Sequence, residues 1–67
     1  MTNEEFKQAR ANLGLTQAQL ARILGTSLQT IQNYDGGRRN VHPVVAQVMD
    51  WMAKGFRPPG WPRGRAK

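Results

Sequence analysis

The side chains best suited to chemistry with a partner in this 67-residue chain are three carboxamides. Gln29, Gln32 and Asn33 stand close together in the stretch "SLQTIQNYDGGRR", with Arg38 and Arg39 just behind them. A carboxamide offers a donor and an acceptor side by side, as do base edges in the major groove, where Gln or Asn pairs bidentately with adenine. Leu28 cannot hydrogen bond through its side chain, but it can lie against a thymine methyl. An A/T-containing half-site is the inference. Arg38 and Arg39 fit phosphates, contacts that set register without reading sequence. Gly36 and Gly37 would let the loop backbone approach a duplex. Gln17 lies at the start of a helix, where free N–H groups and the helix dipole welcome a phosphate; Thr16 and Thr26 are lesser phosphate contacts. The same residue types also make ordinary solvated surface, so their meaning depends on the elements that carry them.

Other chemistry is poorly supported. There is no Cys and only one His, His42, which excludes thiol chemistry and a Cys/His zinc site. No Ser/His/acid set can be assembled, no Gly-rich loop follows a strand, and the four acids are scattered. The chain is expected not to be an enzyme and to need no metal or cofactor. It lacks a signal-peptide core and any apolar run able to span a bilayer, so a soluble cytoplasmic protein is expected, in a bacterial cell or phage-infected host. Its net charge is +6, and from Lys54 onward five basic residues occur with no acid. That balance favours a polyanion partner.

The elements are four short helices. Thr2 with Glu5 fits a capping box, Phe6, Ala9 and Leu13 share a face, and Gly14 supplies a left-handed stop. "TQAQ" repeats the capping signature at Thr16 and Gln19, ahead of Leu20, Ala21 and Leu24, and Gly25 ends that helix. Ala21 is small where another helix can approach closely. Ser27 caps the third helix, with Ile31 and Tyr34 inward and the carboxamides outward. Helices two and three, joined by a three-residue turn that begins with Gly, form a helix-turn-helix. Pro43 fits the first turn of a fourth helix running to about Ala53, and His42 is a helix-start residue. The fold class is therefore all-α, a compact bundle of four or at most five helices. Residues 1–55 form the domain and residues 56–67 a basic Pro/Gly-rich arm.

The fourth helix is apolar over roughly 220°, against the ~100° that a core-facing stripe needs. Val44, Val48, Trp51 and Met52, with Phe56 beyond, are the candidates for an interface with a second copy. Alternatively, the tail folds back and Phe56 or Trp61 covers the excess. The tail itself has three readings: an arm along phosphate or in a minor groove, Trp61 docked on a partner subunit, or disorder, favoured for the last five residues.

Residues 13–37, "LGLTQAQLARILGTSLQTIQNYDGG", resemble the helix-turn-helix of the Cro/cI (XRE) family of lambdoid repressors and Cro proteins. The likeness rests on Leu15, Gln17, Leu20, Ala21, Gly25, Ser27, Ile31, Tyr34, Asp35 and Gly37, and with helices one and four it covers residues 2–53. It implies a lambda-repressor-like domain, usually dimeric, whose third helix enters the major groove of double-stranded DNA. By that resemblance Gln17 contacts the DNA backbone and braces Gln29, and Asp35, where the family usually has Glu, pairs with Arg10 on helix one. Leu28 departs from the polar base reader common in phage repressors, and the tail replaces a fifth helix frequent in the family. The resemblance implies a homodimeric repressor on an inverted-repeat operator. Stand-alone proteins of this kind are often phage or mobile-element autoregulators, some accompanying anti-CRISPR genes. No small-molecule ligand or membrane partner is expected. The rivals are an antitoxin-like or adaptor role, with helix four and the tail binding another protein, and non-specific polyanion or RNA binding through the tail.

Overall fold

Each helix start is built by its own few residues. Thr2 Oγ1 accepts the Glu5 N–H at 3.0 Å while Glu5 Oε1 accepts the Thr2 N–H at 2.8 Å, and this reciprocal box opens α1 (Asn3–Asn12). Thr16 and Gln19 repeat it at 3.0 and 2.9 Å for α2 (Gln17–Leu24). Ser27 Oγ accepts the Thr30 N–H at 3.1 Å and opens α3 (Leu28–Asp35). At α4 (Pro43–Ala53), proline occupies the first turn and His42 Nδ1 accepts the Val44 N–H at 3.1 Å, so His42 is the cap. The computed structural model describes residues 1–62. Among them the architecture is four helices with no strand and no fifth helix, and no helix is long and apolar enough to cross a membrane. Arg63, Arg65 and Lys67, and the expectation made for the last five residues, lie outside the described residues.

The turn between α2 and α3 depends on Gly25. Its φ of 69° is left-handed, and the turn closes with Thr26 N–H on Ala21 O at 2.9 Å and Gly25 N–H on Arg22 O at 3.3 Å. An L side chain there would cost about 1–2 kcal/mol. The turn delivers α3 across α2 and onto α1, while α4 packs on α1.

All four helices contribute to one core. Phe6, Leu20, Ile31, Met49 and Met52 are wholly buried, and Tyr34 meets Phe6 edge-on with ring centroids 5.2 Å apart. Ala21 of α2 is buried as well, and two inter-helix residues, Leu15 and Val41, complete the core. Burying each large side chain contributes about 1.5–3 kcal/mol, a modest total for so short a chain.

The apolar breadth of α4 resolves into two neighbouring stripes. Val45, Met49 and Met52 face the core; Val44, Val48 and Trp51 run beside them, with Val48 still packed against the edge of the core. Met52 was expected at an interface with a second copy. It is fully buried instead, because it follows Met49 by three residues and shares that inward stripe. Val44 is 64% exposed, Trp51 48% and Phe56 49%, while Val48 is half-buried. Trp51 and Phe56 meet edge-on at 6.3 Å. Beyond them the chain does fold back, but not over this stripe. Arg57 Nη1 donates to Met52 O at 2.8 Å and Phe56 O at 3.0 Å, and its guanidinium lies 4.3 Å from the centre of the Trp61 ring. Trp61 packs against the core beside Gln19 and Arg22 of α2.

The capping box of α1 carries a pH dependence. The Thr2 backbone N–H holds the Glu5 carboxyl below its ordinary value of 4.5. A lowered folded value means that this contribution is fully present above the ordinary carboxylate range and is lost as pH falls through the lowered value. Glu5→Gln keeps a box-forming residue and should flatten this part of the stability profile below about pH 4.5, read by urea unfolding at stepped pH.

Candidate nucleic-acid interface

One carboxylate oxygen ties three helices together behind the exposed face of α3. Asp35 Oδ2 accepts from Arg10 Nε at 3.1 Å and Nη2 at 2.9 Å, and from Gln17 Nε2 at 2.8 Å. Arg10 Nη1 also donates to Leu15 O at 2.9 Å, reaching the loop between α1 and α2. The pair is poorly solvated, with side chains 16% and 7% exposed, so water competes weakly for these bonds. Asp35 Oδ1 is buried without a hydrogen bond from the described residues, so Oδ2 carries the attachment alone. The shorter acid at this position thus still reaches Arg10.

Gln17 is placed differently from its expected brace. Its amide nitrogen is bonded to Asp35, not to Gln29. Gln29 Nε2 donates instead to Asn33 Oδ1 at 3.0 Å, one turn along the same helix. The start of α2 keeps its capacity for a phosphate through the backbone. The capping box uses the N–H groups of Thr16 and Gln19, which leaves those of Gln17 and Ala18 at the positive end of the helix. Thr16 is exposed and Thr26 half-buried, at the two ends of α2.

With Ile31 and Tyr34 buried and Asp35 anchored, the opposite side of α3 stands outward. Gln29 and Gln32 are exposed, Leu28 is 43% exposed, and Asn33 is half-buried. Arg38 and Arg39 are exposed in the loop that follows, and Arg39 lies 6.0 Å from the centre of the Tyr34 ring. Residue types alone did not reveal what holds this loop. Asn3 Nδ2 donates to Tyr34 O at 2.9 Å and to Arg39 O at 2.7 Å, pinning the end of α3 and the arginine loop to the start of α1. The contact spans more than thirty positions, and an Asn near a helix start gives no sign of it. Among the described residues no group of three or more His, Cys, Asp and Glu is arranged to hold a metal.

Residues 6–43, from Phe6 through the helix-turn-helix to Pro43, match the HTH_3 family model, described as helix-turn-helix. The chain belongs to this helix-turn-helix family. The match takes in α1 from Phe6 onward, α2, α3 and the arginine loop, and so includes all three members of the Arg10–Gln17–Asp35 junction. It identifies a Cro/cI-like (XRE) helix-turn-helix domain of the kind found in small DNA-binding regulators. No curated protein and no solved structure matches the chain.

The Asp35 junction makes a prediction about this helix-turn-helix. Asp35→Ala leaves the Arg10 charge poorly solvated and uncompensated, and should destabilise the domain by about 3 kcal/mol. The double change Arg10→Met with Asp35→Ala should cost clearly less than the sum of the two single changes. Urea unfolding of the four proteins of the cycle measures this, and strict additivity would show that the pair is not coupled.

Proposed function

We propose that this chain is a sequence-specific double-stranded DNA-binding transcriptional regulator, acting as a homodimeric repressor that occludes an inverted-repeat operator, including that of its own operon. The observation that carries the reading is the two-sidedness of α3. One side is fixed in the core by Ile31 and Tyr34 and tied at Asp35, while the other presents Leu28, Gln29 and Gln32 to the outside. A reading helix needs both properties, since base contacts discriminate only when the donor and acceptor atoms are held in register. Arg38 and Arg39, together with the open N–H groups at the start of α2, flank that side and supply phosphate contacts. The chemistry is binding, with no catalytic step. The resemblance to phage and mobile-element autoregulators supports a setting of that kind.

The outward stripe of α4 supports the dimer. Val44, Val48 and Trp51 follow one another at spacings of four and three residues, and Phe56 extends the patch past the helix end. Apolar surface of this kind on a small domain is best hidden in a self-complementary contact. A dimer would set two copies of α3 on half-sites about 10 base pairs apart. The same stripe is also what an antitoxin-like or adaptor protein would offer to a different partner.

Three measurements test the proposal. Duplexes selected by the protein from a random pool should share an inverted repeat and bind far more tightly than scrambled versions; equal affinity for both would rule out sequence-specific regulation. Arg38→Ala should weaken binding to all duplexes alike and reduce the slope of log affinity against log salt by about one. In sedimentation the protein should be a dimer, free or on the selected site, and Trp51→Lys should return the free protein to a monomer without loss of helix content. A wild-type monomer in both conditions would remove the dimer and favour the adaptor role for the α4 stripe.

A further inference from the structure

The two carboxamides that lie one turn apart on α3 are not independent. Gln29 Nε2 donates to Asn33 Oδ1 at 3.0 Å. A primary amide nitrogen carries two hydrogens. With one of them directed at Asn33, Gln29 retains a second N–H and its Oε1, the two groups a bidentate contact with adenine N7 and N6 requires. The bond also fixes the order in which those groups are offered. Turning the Gln29 amide alone by 180° would set its oxygen against the oxygen of Asn33, two acceptors with no proton between them. The Gln29 amide therefore keeps this order as long as Asn33 Oδ1 is the atom that faces it. Burial separates them further, because Gln29 is exposed and the shorter Asn33 is half-buried, one turn further along the helix.

We propose that Asn33 is a positioning residue that holds the Gln29 carboxamide in a single reading orientation, and that Gln29 is the member of the pair that meets the base, an adenine. This rests on the DNA-binding reading given above and changes its division of labour: two candidate readers become one reader and its brace. Without the brace, a side chain with three rotatable bonds must be ordered anew on each binding event, and both amide orientations become open to it. The discrimination lost with Asn33 is then the discrimination of Gln29.

A double-mutant cycle on the selected duplex tests this, reading the preference for that duplex over versions with single base-pair changes. Gln29→Ala should abolish the preference at one A·T pair, and 7-deaza-adenine at that position should weaken wild-type binding while leaving Gln29→Ala unmoved. Asn33→Ala should reduce the preference at the same pair by about 2- to 12-fold, the range set by re-immobilising one long side chain. In the Gln29→Ala background it should do nothing more. Asn33→Asp keeps the Oδ1 acceptor; it should restore the preference while weakening binding to all sequences alike through its added negative charge. Independent effects in the cycle, or loss of preference at a different base pair with Asn33→Ala, would overturn the inference and make Asn33 a reader in its own right. So would an Asn33→Asp protein that discriminates no better than Asn33→Ala. If the wild-type protein fails to distinguish the selected duplex from a scrambled one, it is the DNA-reading function that falls, an outcome separate from any result of the cycle.

Discussion

The rest of the molecule depends on a single carboxylate oxygen. Asp35 Oδ2 receives two N–H groups from Arg10 on α1 and one from Gln17 at the start of α2, while Asp35 itself terminates α3. Three helices of eight to ten residues, none of which would be stable alone in water, are thereby fixed at one point by charge-assisted bonds. The core beneath supplies most of the free energy, but it is non-directional: Phe6, Leu20 and Ile31 would tolerate some sliding of α3 along its own axis. The Asp35 junction removes that freedom. Gly25 sets the turn into α3, and Asn3 holds the chain as it leaves, so the helix is fixed at both ends and along one side.

That arrangement explains why α3 can be poor in apolar residues and still be rigid. Ile31 and Tyr34 are its buried contribution, and polar contacts at its C-terminal end do the rest. Its outward side is released from any structural duty and is free to carry Leu28, Gln29 and Gln32. Arg10, by contrast, is spent on structure. Although it is one of ten basic residues, its guanidinium is engaged with Asp35 and Leu15 and has little left for a phosphate.

The helix boundaries were legible in the sequence because each is decided locally. Thr2 with Glu5, Thr16 with Gln19, Ser27 and Pro43 act on residues within one turn, as does Gly25. The candidate reading side was legible for a related reason, since helical periodicity separates Gln29 and Gln32 from Ile31 and Tyr34. Contacts between distant residues were less accessible. The Asn3 clamp joins positions that no periodicity relates, and none relates Gln17 to Asp35 either. Met52 was misplaced for another reason: on a helix apolar over most of its circumference, the pattern does not say which part turns inward. Only the packing of α4 on α1 separates the Met49–Met52 stripe from the Val44–Trp51 stripe.

The seating of α4 has a consequence for how such a protein can change over generations. It packs chiefly on α1, while α3 is held by α1 and α2. On the dimer reading, a substitution in the outer stripe of α4 would tilt or shift one copy against the other and leave the amides of each α3 as they were. A substitution at Gln29 would do the opposite. The spacing of a two-part target and the letters within each part are then governed by separate sets of residues, so a lineage can explore either one while selection holds the other constant.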